Sequence, residues 1–475
     1  MKRRLGQELT ERIWVTANIL QGSAEPGDYI NYISGLTFLK WLSDTFSEGE
    51  QKVEHVAESQ HFIVPESAKW KTIRGLTTQV GEALNKANKE LEEKNTSIEG
   101  MVSSIDFATQ QDDTLKQLIQ EFSKIDMSNK GLVDYDDLIE GLTSGFGKGD
   151  VGLYSTPKDV GRLVVALLNP SEKIKIYDPT CGFGGMLIES ARYVEQNGGD
   201  PKTLSLYGQE IDRSVWRICK MNMLFHDFLD ADIKSGDVIR DPKAITGEHL
   251  TRFNIVLADP PFSSGQLRRE ELETDRFGRF HYGIPPYRGD SFAFVEHMIA
   301  TLDEKGKLGV IVPHGVLFRS GSEAKIRKAI LKEDIIEAII GLPSNLFFGT
   351  SIPAVVMVIN KSKPLERKDS LLVIDASNEC RKGKIRSTLR DDNIERIVNA
   401  YNSYKDVENF CKVVPISEIE KNDYNLNISG YVEIHPEEET IDIESVLKEL
   451  QEIREKRREI EKKMDTCLKV LGYNI

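Results

Sequence analysis

Hydrophobic positions follow two different periods along the chain, and the change between them divides the sequence. From the N-terminus to about residue 150, apolar residues recur every three or four positions, which predicts amphipathic helices. These faces comprise Leu9, Ile13, Ala17 and Leu20, then Ile30, Ile33, Leu39, Leu42 and Phe46, then apolar positions within 80–91. Because the polar, glycine-rich stretch 141–150 ends this pattern, we predict an N-terminal helical domain over residues 1–150.

Beyond residue 150, short β-branched runs alternate with helical patterns. The predicted strands cover residues 174–177, 204–208, 255–258, 308–312, 335–340 and 354–359. The predicted helices between them cover residues 160–168, 186–195, 214–228 and 323–331. This alternation is typical of a doubly wound α/β domain, and the last two strands follow each other closely enough for one to be antiparallel. We predict that this domain spans residues 151–435.

A third pattern occupies residues 436–475. Its apolar positions step by threes and fours, like the a and d positions of a coiled coil. The seam comprises Ile443, Val446, Leu450, Ile453, Ile460, Met464, Cys467 and Leu471, with Arg457 as one polar interruption. A lone helix has nothing to bury such a seam against, so we predict a coiled-coil-like helix for subunit association. Packing of the helix on its own domain is the alternative.

Composition and charge indicate the cellular compartment of the protein and the kind of partner that it needs. The chain has 475 residues, no apolar run long enough to cross a bilayer, and a charged N-terminus without the apolar stretch of a secretion signal. Its five cysteines lack metal-ligand spacing, which argues against a zinc site and a disulfide framework and predicts a cytoplasmic location. The net charge of −14 disfavours unaided binding to DNA phosphates, so a nucleic-acid substrate would require a more basic partner.

Acidic loops follow three predicted strands, at the edge where doubly wound sheets bind ligands. The first loop reads DPTCGFGG at residues 178–185, and its glycines allow close approach of a ligand. It lacks the G-x-G-x-x-G and Walker patterns, which disfavours a nucleotide diphosphate. The second strand ends at Glu210, placed to accept from ribose hydroxyls, and Asp237 then suits an adenine amino group. Each loop alone is equally compatible with an ordinary βα connection.

A stiff elbow follows the predicted strand at 255–258, where the chain reads Asp259, Pro260, Pro261 and Phe262. Proline fixes its own φ and lacks an N–H, so the chain must leave the strand in an extended form. A flat group bearing an NH2 can stack on Phe262 while that NH2 donates to Asp259 and to the Pro260 carbonyl. These acceptors raise the electron density on the nitrogen. For this stretch alone, an ordinary proline-rich turn is the alternative.

The ordered loops and the elbow together resemble S-adenosylmethionine-dependent methyltransferases that act on amino groups, whose elbow has the form (D/N)PP(Y/F). Residues 152–157, GLYSTP, resemble the segment that precedes the first strand in such enzymes. Residues 28–29, 37–44, 289–297, 312–319 and 423–427 resemble segments of the modification (methyltransferase, HsdM-type) subunit of type I restriction–modification systems. The resemblance covers about residues 5–435.

This resemblance implies a site-specific adenine-N6 DNA methyltransferase subunit that uses S-adenosyl-L-methionine and acts on a flipped adenine. It implies duplex DNA, a separate specificity subunit and a second methyltransferase subunit as partners, leaves a restriction (nuclease/translocase) subunit open, and implies no membrane. The implied catalytic residues are Asp259, Pro260, Pro261 and Phe262. The implied cofactor-binding residues are Tyr154, Thr156, Asp178, Thr180, Cys181, Gly182, Gly184, Gly185, Glu210, Asp237 and Asp259, and no metal ligand is implied.

Three positions depart from the family pattern. Asp259 stands where Asn is usual, but Asp is the common alternative in adenine-N6 enzymes and keeps an acceptor. Phe183 replaces a small or hydroxylic residue, so we expect it to alter the cofactor loop. Ser155 replaces an aromatic residue, which removes a stacking contact.

Two other functions stay open at this point. A protein methyltransferase acting on a glutamine amide could use the same elbow, because that NH2 is also planar. A non-catalytic assembly subunit could keep the fold without the activity. A cytosine-C5 methyltransferase is disfavoured, because no cysteine stands in a Pro-Cys nucleophile motif at the proper place.

Two charged segments are candidates for contact with DNA. Residues 263–290 lack a clear period and carry Arg268, Arg269, Arg276, Arg279, His281 and Arg288 beside several acids. A loop this long suggests a segment that orders on DNA and lines the pocket for an extruded base, with a solvated charged loop as the alternative. The basic run 381–386 could touch phosphates, although runs this short are more often solvated surface.

Overall fold

A computed structural model describes residues 12, 14–24, 26–46, 62–128, 156–262, 267–287, 289–347, 352–383, 386–433, 450–451, 453–462 and 464. By its contacts the chain divides into two compact units, residues 1–432 and 433–475. The boundary predicted near residue 150 lies outside the described residues, so the division between the first two domains stays a prediction.

The N-terminal part of the first unit is helical, as its period predicts. Residues 14–20 are helical, and the longer helices are α1 (Pro26–Phe46), α2 (Trp70–Arg74), α3 (Val80–Lys94) and α4 (Asp112–Phe122). Short 3-10 turns cover Glu66–Ala68, Thr96–Ile98 and Phe107–Thr109. The predicted apolar positions are buried at Ala17, Leu20, Ile30, Ile33, Leu39 and Leu42 and partly buried at Phe46, while Leu9 and Ile13 lie outside the described residues.

A nine-stranded sheet forms the rest of the first unit. Its strands are β1 (Lys175–Asp178), β2 (Ser205–Glu210), β3 (Asp232–Ser235), β6 (Phe253–Ala258), β7 (Leu302–Pro313), β8 (Ile336–Gly341), β9 (Ala354–Asn360), β10 (Ser370–Asp375) and β11 (Cys411–Pro415). Strands β4 (Ile245–Thr246) and β5 (His249–Leu250) form a separate two-stranded ribbon. The order across the sheet is β11-β10-β8-β9-β7-β6-β1-β2-β3.

Helices connect the strands, as the alternating pattern predicts. They are α5 (Lys158–Leu168), α6 (Gly185–Gln196), α7 (Arg213–Phe225), α8 (Arg269–Glu273), α9 (Ser291–Thr301), α10 (Ser322–Lys332), α11 (Asp391–Ser403) and α12 (Ile416–Lys421). Further 3-10 turns cover Pro201–Thr203, His314–Leu317, Leu365–Arg367 and Ile428–Gly430. The four helices predicted in this part correspond to α5, α6, α7 and α10, so the doubly wound α/β prediction is confirmed.

Parallel pairing dominates the half of the sheet that carries the acidic loops. Strand β1 pairs in parallel with β2 and β6, β2 with β3, and β6 with β7. Strand β9 runs antiparallel between β7 and β8, which confirms that one of the last two predicted strands is antiparallel. Every residue of β8 and β9 is buried. Central strands are covered on both faces, and their sequences are therefore nearly continuous apolar runs.

The N-terminal helices share an apolar core with α7, the helix that follows β2. Phe225 of α7 packs edge-on against Trp41 of α1, with ring centroids 4.9 Å apart. Arg217 of the same helix is buried and donates to Ser104 Oγ at 2.6 Å and to Asn31 Oδ1 at 2.9 Å. These contacts satisfy the buried guanidinium and attach the helical part to the helix that follows β2.

Residues 450–451, 453–462 and 464 of the second unit are helical. Within it Leu450, Ile453, Ile460 and Met464 are 42–65% exposed. The remaining apolar positions of the predicted seam, Ile443, Val446, Cys467 and Leu471, lie outside the described residues. The helical conformation therefore agrees with the pattern over this range, whereas its role in association stays a prediction.

Candidate active site

The carboxyl ends of β6, β1, β2 and β3 lie side by side along one edge of the sheet. These four strands are parallel neighbours in that order. Since parallel strands end at the same edge, the structure brings together the loops that carry Asp178, Glu210, Asp237 and Asp259. We call this row of loops the acidic edge.

The loop after β1 is held by main-chain hydrogen bonds. Asp178 is 1% exposed, and its Oδ1 accepts from the Thr180 N–H at 3.0 Å. The Cys181 N–H donates to the Gln209 carbonyl in β2 at 3.0 Å, which fixes the loop against the neighbouring strand. The Thr180 hydroxyl is buried and has no hydrogen-bond partner among the described residues. A ligand in this loop would satisfy it.

Gly184 closes this loop where α6 begins. Its φ of +84° lies in the left-handed region that favours glycine. A Cβ at this position would overlap Met223 Cε and lie 2.9 Å from Cys219 Sγ, so a larger residue requires these two side chains of α7 to move. Helix α6 starts at Gly185 without a side-chain cap. Its first peptide N–H groups are therefore suited to an anion such as a carboxylate.

Glu210 braces the first loop from the end of β2. Its Oε2 accepts from the Gly182 N–H at 3.0 Å, and its Oε1 accepts from the Asp212 N–H at 2.8 Å. A carboxylate has about four lone-pair sites, so acceptor capacity remains for the hydroxyls of a ligand. The next residue, Ile211, is 65% exposed and adds apolar surface beside that carboxylate.

The carboxylates of the acidic edge repel one another. Burial raises the pKa of Asp178 well above its ordinary value, and the charges of Glu210 and Asp259 raise it further. Burial also raises the pKa of Glu210. Asp259 keeps part of its surface exposed, and desolvation raises its pKa to about 7 against the opposing effect of the Thr156 hydroxyl. This arrangement favours a ligand that brings positive charge and hydrogen-bond donors.

Asp237 follows β3 and caps its own turn. Its Oδ1 accepts from the Ile239 N–H at 2.8 Å and from the Arg240 N–H at 3.2 Å. Its Oδ2 accepts from Arg240 Nη1 at 2.8 Å. The side chain predicted to accept from an adenine amino group is thus already paired, and a base must share it with Arg240.

The elbow lies at the end of β6, as the two prolines predict. Thr156 Oγ1 donates to Asp259 Oδ2 at 2.9 Å. The Thr156 hydroxyl thus contacts the elbow carboxylate, and contact of Thr156 with the cofactor stays a prediction. Pro260 is buried, whereas Phe262 is partly buried and meets Phe347 edge-on, with ring centroids 5.8 Å apart at 69°. The elbow thus combines a carboxylate acceptor with a pair of aromatic rings.

Two side chains of the first loop pack into the protein. Cys181 Sγ lies 3.8 Å from Cys219 Sγ of α7. Phe183 is 4% exposed and belongs to the apolar core shared with the N-terminal helices. Asn222 Nδ2 of α7 donates to the main-chain carbonyl of Phe183 at 2.9 Å. The effect expected of Phe183 on the cofactor loop is therefore an anchoring effect, since its ring ties the loop to the helical part.

Sequence reasoning did not single out Phe347 or Ile211. Phe347 lies in the connection between β8 and β9, and nothing in its local sequence relates it to the elbow 85 positions earlier. The sequence does offer one signal for Ile211, because it is an apolar residue directly after the acid that ends a predicted strand. Tyr154 and Ser155 lie outside the described residues, so the predicted contact of Tyr154 and the missing stacking contact at Ser155 stay predictions.

The arginines of the two charged segments differ in their exposure and in their partners. Arg268, Arg269 and Arg276 are exposed, but Arg279 is 3% exposed and lies inside the fold. In the basic run 381–386, Arg386 Nη1 contacts both carboxylate oxygens of Asp159, at 3.0 and 3.1 Å. Arg279 and Arg386 are therefore structural, whereas contact of the exposed arginines with DNA stays a prediction.

Among the described residues, no three His, Cys, Asp or Glu side chains are grouped to hold a metal ion. No helix in the same ranges is long and apolar enough to span a membrane. The described cysteines, Cys181, Cys219, Cys380 and Cys411, are free thiols.

The sheet order, its antiparallel β9 and the loops of the acidic edge define an S-adenosylmethionine-dependent methyltransferase fold with an added N-terminal helical part. The structure is similar to that of the type I restriction-modification system methyltransferase subunit from Streptococcus thermophilus. The TM-score is 0.75 at 26% sequence identity, and the match covers 90% of this chain and 100% of that chain.

The chain belongs to the N-6 DNA Methylase family, whose model matches residues 134–440, and the HsdM N-terminal domain model matches residues 9–122. It is 37% identical to the type I restriction enzyme MjaVII methylase subunit of Methanocaldococcus jannaschii, over 76% of this chain and 62% of that relative. It is 26% identical to the MpnII methylase subunit of Mycoplasma pneumoniae, over 98% and 96% of the two chains. The chain thus spans less than two thirds of the MjaVII subunit, and the resemblance inferred from its motifs is confirmed.

Proposed function

We propose that the chain is a site-specific DNA adenine-N6 methyltransferase subunit of a type I restriction–modification complex, with sequence specificity supplied by a separate subunit. The elbow carries the proposal. The Asp259 carboxylate receives a hydrogen bond from Thr156 and stands close in sequence to Phe262, whose ring meets that of Phe347. Membership of the family and the similarity to relatives named as methylase subunits support the proposal.

The elbow residues act on the target amino group. One N–H of the adenine NH2 donates to Asp259 and the other to the Pro260 carbonyl, so that the nitrogen lone pair is oriented for methyl transfer. The base must leave the duplex, which costs a few kcal/mol. Stacking on Phe262, with Phe347 as a second aromatic wall, offsets this cost by roughly 1–3 kcal/mol per base.

The loops of the acidic edge fit S-adenosyl-L-methionine, which supplies an activated methyl group when bound. Glu210 retains acceptor capacity for ribose hydroxyls, and the N-terminus of α6 at Gly185 suits the methionine carboxylate. Asp178 suits the positive charge of the methionine part, and the unpartnered Thr180 hydroxyl adds a donor. Asp237 accepts from the adenine amino group if it shares its Oδ2 with Arg240.

Charge and the C-terminal helix support the proposed partners. With a net charge of −14, the chain requires a more basic protein to hold duplex DNA. The apolar positions exposed on the helix at 450–464 suit pairing with helices of a specificity subunit. The proposed assembly contains duplex DNA, that subunit, a second methyltransferase subunit and, where the system has one, a restriction subunit. A cytoplasmic location is part of the same proposal.

The test is methyl transfer by the full-length chain together with the specificity protein encoded next to it. Labelled S-adenosyl-L-methionine and duplex DNA should yield N6-methyladenine after digestion to nucleosides. Label on a protein glutamine would support the amide methyltransferase instead. Cofactor binding by calorimetry without transfer to any DNA would support a non-catalytic assembly subunit.

A truncation after His435 tests the role of the C-terminal helix. We expect the truncated chain to bind the cofactor but to lose co-elution with the specificity protein and DNA methylation together. Equal assembly by the truncated and full-length chains would show that the helix has no role in association. Tight, sequence-specific DNA binding by the chain alone would overturn the need for a specificity partner.

A further inference from the structure

The segment after the elbow is tied to the Asp237 turn by a buried arginine. Arg279 Nη1 donates to the Val238 carbonyl at 3.0 Å, and its Nη2 donates to the Ile239 carbonyl at 2.5 Å. Asp275 neutralises the guanidinium, since its Oδ1 accepts from Nε at 3.0 Å and from Nη2 at 2.8 Å. Removing the guanidinium would leave two carbonyls and Asp275 Oδ1 without these donors in the interior, while Asp275 Oδ2 would still accept from the Arg279 N–H at 2.7 Å.

A second arginine, Arg240, is exposed and makes the reverse contact, from the Asp237 turn to the segment. Arg240 of the Asp237 turn donates through Nε to Glu271 Oε2 of α8 at 2.9 Å, and through Nη1 to Asp237 Oδ2 at 2.8 Å. Arg240 and Glu271 are each more than one third exposed, so this contact is the weaker of the two. We call the pair of contacts, Arg279 to the turn and Arg240 to the segment, the arginine clasp.

The guanidinium of Arg279 is also linked, through His297, to strand β1, which carries Asp178. Arg279 Nη1 lies 3.1 Å from His297 Nδ1, and His297 Nε2 lies 3.3 Å from the Tyr177 hydroxyl. Because a guanidinium only donates, Nδ1 must accept and the imidazole proton must be on Nε2. Burial lowers the pKa of His297 well below its ordinary value, in agreement with a neutral ring. Tyr177 directly precedes Asp178, so the contacts of Arg279 extend to both cofactor loops.

Apolar packing links the same two parts of the molecule. Val238 and Ile239 of the turn form a small buried core with Leu267, Leu272 and Phe280 of the segment and with residues of α9. The segment and the turn therefore share side-chain packing as well as hydrogen bonds. We therefore expect a change in the order of the segment to change the order of the turn, and the reverse.

We propose that Arg279 is a positioning residue that couples the segment 267–287 to the Asp237 turn, so that cofactor binding orders the segment. Reciprocity then requires that the ordered segment strengthens cofactor binding by the same factor. This inference rests on the proposed function, because the ligand of the turn is taken to be S-adenosyl-L-methionine.

The test is hydrogen–deuterium exchange of peptides from 267–287 in the full-length chain, with and without S-adenosylhomocysteine. We expect the ligand to slow exchange of this segment about fivefold or more in the wild-type protein, in the usual range of allosteric coupling. Arg279→Gln should abolish this protection and weaken ligand binding by a similar factor in calorimetry. Arg279→Lys, which keeps the charge but not the forked geometry, should restore part of both.

Matched variants separate coupling from a general loss of stability. Arg269→Gln removes an exposed arginine that pairs with Glu273 within the same segment at 2.7 Å, and it should leave the protection unchanged. Glu271→Gln removes the charge from the exposed contact of the clasp but keeps an acceptor oxygen, and it should reduce protection only two- to threefold. If Arg279→Gln fails to fold, the Lys and Glu271 variants still test the coupling.

The outcomes distinguish the coupling from the proposed function. Ligand binding with no protection of 267–287 in the wild-type protein would overturn the coupling alone. Protection that is unchanged in Arg279→Gln would overturn the role of Arg279. Failure of the wild-type protein to bind either S-adenosyl-L-methionine or S-adenosylhomocysteine would overturn this inference and the proposed function together.

Discussion

The loops after β1 to β3 and the elbow after β6 hold their carboxylates in different ways. Asp178 and Glu210 accept from main-chain N–H groups of the loops that they brace. Asp259 receives its hydrogen bond from a side chain, the Thr156 hydroxyl, which lies 103 positions away in the sequence. The first two carboxylates are therefore fixed by backbone geometry, whereas the third depends on prolines and one rotatable hydroxyl.

Under the proposed function, this difference predicts separate roles for these carboxylates in binding and in catalysis. A carboxylate that organises its own loop keeps its place before any ligand arrives, so its loss should damage the cofactor loop itself. A carboxylate with one exchangeable partner can transfer its acceptor capacity to an incoming N–H, so its loss should damage the reaction and spare the fold. Four predictions test this comparison.

The largest effect is expected at the elbow. Asp259→Ala and Phe262→Ala should each lower methyl transfer by about 10²-fold or more, because a positioned catalytic group is lost. Asp259→Asn should be milder, since the amide oxygen still accepts. Thermal unfolding should stay close to wild type, as in the control Asp113→Ala on the exposed face of α4. An Asp259→Ala variant that keeps more than about a tenth of the rate would contradict this role.

The next effect is expected at Glu210, and it should appear in binding. Glu210→Ala removes acceptors for the Gly182 and Asp212 N–H groups and for the ribose hydroxyls. A hydrogen bond to a charged group contributes roughly 1.5–3 kcal/mol, so cofactor affinity should fall about 10- to 100-fold in calorimetry. Glu195→Ala, at an exposed position of α6, is the control. Unchanged affinity in Glu210→Ala would remove this residue from the cofactor site.

A pH dependence should distinguish Asp259 from its neighbours. Its pKa in the folded chain, about 7, is above the ordinary value of 3.8, so the folded state holds the proton more tightly. The contribution of this group to stability is therefore present below pH 3.8 and lost as pH rises through about 7. The acceptor form appears over the same interval, so kcat/KM for DNA should fall up to tenfold per pH unit below pH 7. Asp259→Asn should lack this acid limb at saturating cofactor, and an identical limb in both proteins would assign it to another group.

The smallest effect is expected at Thr156. Thr156→Val keeps the shape of the side chain but removes the hydroxyl that lowers the pKa of Asp259. The acid limb should move to higher pH, and the rate at pH 7.5 should fall about two- to tenfold, the value of one ordinary hydrogen bond. A loss of cofactor affinity without a shift of the pH profile would return Thr156 to the cofactor site where its motif first suggested it.

Periodicity and local chemistry alone were sufficient for much of this protein. Alternating β-branched runs and amphipathic helices predicted the order of elements, because burial on one or both faces of an element leaves a local pattern. Two prolines predicted the elbow, because φ restriction acts on neighbours in the chain. Acids at strand ends predicted the acidic edge, since parallel strands must end together.

Contacts between distant residues were decided only by the tertiary structure. The direction of the Thr156 hydroxyl, the meeting of Phe347 with Phe262, the anchoring of Phe183 and the burial of Arg279 each depend on which elements pack together. Arg279 shows the reason most clearly. The surrounding segment 263–290 carries many charges, which left a solvated loop as an alternative, yet Asp275 and the Val238 and Ile239 carbonyls hold Arg279 in the interior. Whether a charge is exposed or internal depends on partners that folding brings to it, and no local pattern records them.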